Sequence, residues 1–152
     1  MKTVLAALFA GMMLLSAFPL FASDRDSILG VWNNEEKDAR IELFKCGEKY
    51  CGRIVSLKEP NYPAGSEEGK PGTPKLDHNN PVPGLRTVPI IGLQIVRDFV
   101  FAGDGLWKDG KVYDPKNGKT YSGKMTLVSP DQLHLRGYIG ISLIGRTTTW
   151  TR

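Results

Sequence analysis

Apolar and polar side chains alternate along most of the chain, and the period of the alternation is two residues. The pattern is clearest in residues 39–46, 119–128 and 132–139. A period of two is typical of strands that bury one face and expose the other. Turn sequences separate the apolar segments of the chain, and Asp109-Gly110, for example, predicts a tight turn between residues 106–108 and 111–113. The sequence therefore predicts an all-β domain, a small antiparallel up-and-down barrel of about eight strands.

The alternation breaks off in residues 58–88, which hold most of the ten prolines of the chain. A connection of this length without periodicity is uncommon in a compact domain, and such connections are usually functional or disordered. A small closed barrel has no room for it inside. We therefore expect one long proline-rich loop that lies over one end of the barrel.

The start of the chain has a different composition. Lys2 is followed by an apolar stretch, residues 4–17, that carries no charge. This order predicts a signal peptide over residues 1–22, cleaved after Ala22, and a single barrel domain over residues 23–152. A membrane anchor is the alternative, although the stretch lies near the lower limit for a bilayer span. We expect a periplasmic or secreted protein.

Charge and cysteine content narrow the function classes. The net charge is +4 and is spread along the chain, which argues against nucleic acid as a partner. Cys46 and Cys51 are the two cysteines, and in an exported protein they are predicted to form a disulfide at a hairpin turn, with free thiols as the alternative. Two thiolates need two further soft ligands, and His78 and His134 are the two histidines, so we expect no metal and no cofactor.

Gly30-Val31-Trp32, near the start of the mature chain, resembles the Gly-x-Trp signature of lipocalin-like barrels. In that family the Trp closes one barrel end, and a basic residue of the last strand packs across it. The resemblance implies this role for Trp32, with Arg152 as the favoured partner and Arg146 as the second choice. A guanidinium plane over an indole ring forms a favourable cation–π pair.

Longer strings carry a second resemblance, which covers nearly all of the mature chain. They are Asp77-x-x-Asn80-Pro81, Leu85-Arg86, Tyr113-Asp114-Pro115-x-Asn117-Gly118 and Leu135-Arg136-Gly137-Tyr138. The chain resembles the bacterial domain-of-unknown-function 2147 family, small exported proteins of lipocalin-like fold. This resemblance implies a fold and a compartment, but no chemistry.

Six polar residues are candidates for binding a ligand in the barrel: Asp77, Asn80, Arg86, Tyr121, Arg136 and Tyr138. Asp77 and Asn80 precede a proline, a position that is also typical of side-chain-to-backbone turns. Arg86 offers a fork for a carboxylate or a phosphate. The alternation does not decide whether Arg136 and Tyr138 face the interior or the solvent.

An apolar segment that begins at Ile139 and ends at Ile144 is bounded by glycines. It is expected either to fold over a barrel end or to contact a protein partner. Membrane contact is not expected once the signal peptide is removed.

Two functions remain. The leading hypothesis is a non-enzymatic protein that binds a small apolar or amphipathic molecule in the barrel. The alternative is an envelope-associated interaction module whose barrel is filled by side chains. Catalysis is disfavoured, because no nucleophile motif is present and His78 beside Asp77 is better explained by an exposed turn. A cavity of about 300 Å³ or more would favour the ligand-binding hypothesis.

Overall fold

The computed structural model describes residues 24–152, so the predicted signal peptide, residues 1–22, lies outside the described residues. Eight strands follow one another along the chain. They are β1 (Gly30–Asn33), β2 (Ala39–Cys46), β3 (Lys49–Leu57), β4 (Gln94–Gly103), β5 (Leu106–Asp114), β6 (Lys119–Ser129), β7 (Gln132–Tyr138) and β8 (Gly145–Thr151). Within the described part of the chain, no helix is long and apolar enough to cross a membrane.

The strands form a closed antiparallel barrel in which each strand pairs with the next and β8 pairs with β1. This arrangement confirms the predicted up-and-down barrel. The turn predicted at Asp109-Gly110 is wrong, because β5 runs through both residues. Asp109 has a left-handed φ of +61° and the β5–β6 register shifts between Trp107 and Gly110, so the pair forms an irregularity within the strand. The pairing of β8 with β1 is short, since Asn33 opposite Thr151 is its one aligned pair. Because successive strands reverse direction, the β1–β2, β3–β4, β5–β6 and β7–β8 connections lie at one end, here called the open end. The segment before β1 and the other connections lie at the opposite, closed end.

The half of the barrel next to the closed end is packed with large side chains. The largest of those that are fully buried are Trp32, Trp107, Tyr50, Phe99, Ile28, Leu43, Met125 and Leu133. Gly110 and Gly123 face the Phe99 ring so closely that a β-carbon at either position would overlap it. These two glycines therefore let an aromatic ring lie across the interior, which fills this half of the barrel.

The closed end is sealed by Trp32, which is completely buried. The Arg152 guanidinium carbon lies 4.3 Å from the centroid of the Trp32 ring, a distance suited to a cation–π contact. The same guanidinium donates hydrogen bonds to the carbonyls of Ser27, Leu29 and Pro130, at 3.0, 3.1 and 2.7 Å. The end of the chain thus joins the segment before β1 to the β6–β7 turn.

Arg146, the second choice for this role, lies elsewhere. The strand β8 begins at the open end and ends at the closed end, so its first and last residues are at opposite ends of the barrel. The Arg146 side chain is exposed and forms an ion pair with Glu35, at 3.1 Å. The antiparallel direction of β8 therefore decides between the two arginines.

The disulfide between Cys46 and Cys51 is confirmed. It joins β2 to β3 across the turn at the closed end, where Cys46 is opposite Lys49 and Phe44 is opposite Cys51. The bond thus lies at a hairpin turn, as the spacing of the two cysteines predicts.

Replacing Trp32 by alanine is expected to lower the free energy of unfolding by about 3–5 kcal/mol, because a fully buried indole is lost and a cavity remains. Urea denaturation measures the loss. Trp32→Phe retains a ring and should lose less, which keeps the test informative if the alanine variant does not fold. Equal stability of Trp32→Ala and the parent would show that Trp32 does not support the closed end.

Replacing both cysteines by serine is expected to lower the free energy of unfolding by about 2 kcal/mol, since the loop that the bond closes is short. Thermal or urea denaturation of the variant checks this value. The parent in a reducing agent is the control and should match the variant. An intact mass equal to that of the fully reduced chain, measured on protein purified without reducing agent, would contradict the disulfide.

Candidate functional site

A cavity of about 1170 Å³ begins in the half of the barrel next to the open end and extends outward to exposed side chains at its mouth, such as Glu36, Glu68 and Arg146. Its wall consists mainly of aliphatic side chains and one indole ring, contributed by Ile41, Ile54, Ile95, Val112, Leu135 and Trp150. On β7 the residue next in the inward-facing series after Leu135 is Gly137, which also lines the cavity and fills little of it. Four tyrosines, Tyr62, Tyr113, Tyr121 and Tyr138, also line the cavity, but they lie in the β3–β4 connection or close to strand ends at the open end, so space remains against the aliphatic wall for an apolar molecule.

The polar groups of this cavity are concentrated at its mouth, where both charge signs are present. Lys116 and Asp38 form an ion pair at 3.1 Å, and Lys75 and Glu59 approach to 3.8 Å. Partial burial raises the pKa of Asp38, but hydrogen bonds from Asn34 and Lys116 outweigh this effect, so the pKa lies below its ordinary value. Asp38 is therefore ionised at neutral pH, and the stabilisation from this pairing is lost as the pH falls through the folded-state pKa.

The long loop between β3 and β4, residues 58–93, covers the mouth, and we call it the lid. Two isolated bridges, Asn61 with Pro74 and Leu76 with Pro89, give it internal structure. Tyr62 is buried within it, and the Tyr62 hydroxyl accepts a hydrogen bond from the backbone N–H of Leu76 at 2.8 Å. The lid is thus a folded element that packs on its own side chains.

His78 belongs to the inner surface of the lid. Its Nε2 atom is hydrogen-bonded to the Tyr62 hydroxyl, and the side chain lines the cavity. The sequence-based expectation of an exposed turn histidine differs from this half-buried position. Because Tyr62 occupies the Nε2 atom, the imidazole is part of the polar network within the lid.

A buried carboxylate fastens the lid to the barrel. Asp77 is completely buried and accepts hydrogen bonds from the Tyr113 hydroxyl on β5 and from the Asn80 side-chain amide, both at 2.8 Å. Its backbone N–H donates to the carbonyl of Val88 at 2.9 Å. Burial and the hydrogen bond to Asp77 raise the pKa of the Tyr113 phenol above its ordinary value, so the phenol stays neutral and can donate.

Asp77, Asn80 and Arg86 are close together, but they do not line the cavity. The Asn80 side-chain oxygen accepts from the backbone N–H of Val82, and the Arg86 Nε donates to the Asn80 carbonyl at 2.8 Å. These contacts agree with the turn-forming alternative and differ from the predicted mouth-lining role. The sequence does not show that Tyr113 is the hydrogen-bond partner of the buried Asp77, and for this reason it suggested a mouth-lining role.

A second attachment joins the lid to the β5–β6 turn. The Asn79 side-chain amide donates to the carbonyls of Pro115 and Lys116, each at 3.1 Å. Gly118 adopts a left-handed φ of +70° in the same turn, and its α-carbon faces the backbone of Asn79 with no room for a side chain. The lid therefore rests on this turn as well as on Tyr113.

Arg136 faces outward, so it is not a ligand contact in the barrel. Its cross-strand neighbours are Lys124 and Thr147, and its guanidinium donates to the carbonyls of Ser142 and Leu143, at 2.7 and 3.1 Å. The inward positions of β7 belong to Leu135 and its alternate neighbours, which decides the parity that the sequence left open. Arg136 holds the β7–β8 loop against the outside of the barrel.

Tyr121 and Tyr138 do border the cavity, in different ways. Tyr121 faces the interior near the open end, and its hydroxyl accepts a hydrogen bond from the Asn117 side chain at 3.0 Å. Tyr138 has the outward parity of Arg136 and reaches the cavity only at its rim. Of the six predicted ligand-binding residues, these two are the ones that the structure brings to the cavity.

Sequence reasoning did not single out the main lining residues, among them Ile54, Leu135 and Trp150. The available signal was the alternation itself, which placed Leu133 and Leu135 on one strand face. The sequence analysis instead chose polar residues as candidates for ligand binding, although apolar residues make up most of the cavity wall. No three His, Cys, Asp or Glu side chains converge as a metal site would require, within residues 24–152.

Comparisons with known proteins agree with this architecture. A closed up-and-down barrel with a Trp-sealed end and an apolar cavity defines a lipocalin-like protein. The chain belongs to the bacterial family described as "Uncharacterized protein conserved in bacteria (DUF2147)", whose model matches residues 30–152.

Among solved structures, the chain is similar to protein HP1028 from the human pathogen Helicobacter pylori, which is described as belonging to the lipocalin family. The two chains are 26% identical, the similarity covers 82% of this chain and 81% of that chain, and the TM-score is 0.66. A search of curated proteins gives no match.

Replacing Tyr113 by phenylalanine is expected to loosen the lid, because Asp77 loses one of its two side-chain donors while it remains buried. The free energy of lid opening should fall by about 1–3 kcal/mol. Amide hydrogen exchange measures this change over residues 58–93. Tyr121→Phe removes a hydroxyl that bonds only at the exposed rim and serves as the control, since it should leave lid exchange unchanged. Parental lid exchange in Tyr113→Phe would contradict the role of this hydrogen bond.

Proposed function

We propose that this protein is an exported lipocalin-like carrier that binds a small apolar or amphipathic molecule in its barrel, without catalysis. The observation that carries the proposal is the cavity of about 1170 Å³ with an aliphatic wall. Its volume exceeds the 300 Å³ or so that separates a ligand-binding barrel from a filled one, and it lies in the range of small-molecule sites or slightly above. The alternative function, a module with a filled core, requires the open half to be packed as tightly as the closed half.

The distribution of polarity favours a particular type of ligand. The deep wall is aliphatic, so it suits the apolar body of a molecule, and burial of apolar surface drives binding. The charged side chains lie on loops or strand ends at the mouth, where Asp38 and Glu59 already neutralise Lys116 and Lys75. We therefore favour a ligand whose polar end is uncharged or zwitterionic over the acidic head group that an Arg86 contact would require.

Two further observations support the proposal. The Cys46–Cys51 disulfide suits an oxidising compartment outside the cytoplasm, which agrees with the predicted signal peptide. The imidazole among the described lining residues, His78, is hydrogen-bonded to Tyr62 within the lid. Neither His78 nor Tyr62 stands beside a nucleophile that it would activate, which supports binding rather than catalysis.

Replacing Gly137 by leucine is expected to weaken ligand binding at least about tenfold, a change of about 1.4 kcal/mol. The new side chain projects into the cavity, and its β-carbon meets Tyr121 at an ordinary contact distance of 3.6 Å, so the barrel tolerates it. Two probes are titrated, cis-parinaric acid as an acidic amphiphile and N-phenyl-1-naphthylamine as a neutral one. The neutral probe should bind at least as tightly as the acid.

Gly84→Leu is the matched control, because it introduces the same side chain on an exposed part of the lid with nothing within 4 Å. It should bind both probes like the parent. Emission from Trp150, which lines the cavity, should change on binding, and Trp150→Phe should remove that change. Absence of saturable binding to the parent would overturn the proposal, and unchanged binding to Gly137→Leu would move the site out of the cavity.

A further inference from the structure

The β7–β8 loop presents an apolar surface to solvent. Ile139, Ile141, Leu143 and Ile144 are between 60% and 84% exposed. Single exposed apolar residues are ordinary, but a cluster of four large aliphatic side chains on one loop marks an interaction site. Sequence analysis left open whether this segment folds over a barrel end. The exposure of these side chains shows that the segment does not fold over a barrel end. We call residues 139–144 the apolar loop.

Hydrogen bonds hold the backbone of the apolar loop in place. The Arg136 guanidinium bonds the carbonyls of Ser142 and Leu143, and the backbone N–H of Ile144 donates to the carbonyl of Ile141 at 3.2 Å. The two carbonyl groups therefore face the Arg136 guanidinium on the barrel, and the Leu143 side chain is left exposed to solvent. The loop is therefore built to expose its apolar side chains.

Basic side chains flank this loop on the outer face of the barrel. Cross-strand pairing joins Arg97 to Lys111, and Lys111 to Ser122. Ser122 in turn pairs with Tyr138, the residue that precedes the apolar loop. A neighbouring row pairs Lys124 with Arg136. These four cations, here called the basic row, thus lie on the adjacent strands β4 to β7, of which β7 leads into the apolar loop.

The charges of the basic row are not neutralised by neighbouring acids. Among the described residues, no carboxylate lies within ion-pair distance of Arg97, Lys111 or Lys124, whereas Lys45, Lys49, Lys116 and Arg146 each have an acidic partner. Lys111 bonds the Ser122 hydroxyl at 2.9 Å and leaves its charge available. An anionic partner would supply the missing counter-charges.

We infer that the apolar loop and the basic row together dock the protein on an anionic phospholipid membrane. The aliphatic side chains enter the outer part of the acyl region, while the cations bind lipid phosphates. This combination distinguishes a lipid surface from a protein partner, because lysine is depleted in protein interfaces and enriched beside membrane-inserting apolar residues. The inference revises the expectation that the mature protein does not contact membranes.

The position of the apolar loop gives this docking a consequence for the cavity. Ile139 and Ile144 line the rim of the cavity, so a docked protein holds its open end close to the bilayer. The docking itself does not depend on any ligand in the barrel. It is tested without one, so that failure of docking and failure of ligand binding are separate results.

Co-sedimentation with vesicles tests the inference. The exported protein is mixed with vesicles of phosphatidylcholine alone, or with vesicles in which about one third of the lipid is phosphatidylglycerol. We expect binding to the anionic vesicles, weaker binding to phosphatidylcholine, and loss of the difference at high salt. Failure to sediment with either type of vesicle would overturn the inference.

Two double variants separate the two parts of the surface. Ile141→Ser with Leu143→Ser should lower the partition coefficient at least about tenfold, through loss of inserted apolar area. Lys111→Ser with Lys124→Ser should lower it about fivefold for each cation removed, and only on anionic vesicles. Both changes are on exposed or half-exposed side chains, and circular dichroism with a thermal melt verifies the fold.

Each variant has a matched control away from the open end. Val100→Ser with Val128→Ser removes two exposed apolar side chains, and Lys45→Ser with Lys49→Ser removes two cations at the closed end. These controls should bind vesicles like the parent. Equal loss in a control and its test variant would overturn the inference, as would parental binding by the loop variant. A dimer that only the loop variant abolishes, seen by sedimentation velocity without vesicle binding, would assign the loop to a second copy instead.

Discussion

The contact of Arg152 with Trp32 is the interaction on which the barrel depends. The β1–β8 seam has one aligned pair, Asn33 with Thr151, so the backbone ladder alone contributes little to closing the sheet. The Arg152 guanidinium compensates by stacking on the Trp32 ring and by binding three carbonyls from both sides of the seam. A planar group with donors on several edges suits this task, which a lysine ammonium would perform less well.

Once the closed end is sealed, the distribution of side-chain volume divides the interior into two halves. Because Gly110 and Gly123 have no side chain, the Phe99 ring packs directly against them, and the closed half is filled like a protein core. In the open half Gly137 also occupies an inward position, where a β-carbon would lie at an ordinary contact distance of 3.6 Å from the Tyr121 side chain, and much of the wall is aliphatic. The same residue type therefore has opposite consequences, because the Phe99 ring fills the space at Gly110 and Gly123, whereas Tyr121 leaves room for a side chain at Gly137.

The lid and the apolar loop illustrate how polar residues can be misassigned from sequence. Asp77 and Arg136 have the chemistry of ligand-binding groups, yet each is occupied by hydrogen bonds within the protein. Asp77 accepts from Tyr113, and Arg136 donates to the backbone of the loop that follows it. Their role is to position a segment of chain, and the surfaces they support are the ones suited to bind: the cavity under the lid and the exposed loop beside its mouth.

The sequence by itself determined the barrel, most of its strands, the long connection, the disulfide and the two residues that meet at the closed end. These features follow from local periodicity, turn chemistry, the spacing of cysteines and the resemblance of Gly30-Val31-Trp32 to a known signature. The sequence placed a turn at Asp109-Gly110, which lies within β5, because local turn chemistry does not show that Gly110 makes room for the Phe99 ring. Tertiary structure decided which face of β7 is inward, that Asp77 meets Tyr113, and that a cavity remains. Those outcomes depend on strand register and on the sum of side-chain volumes from all eight strands, and no single segment of the sequence contains that information.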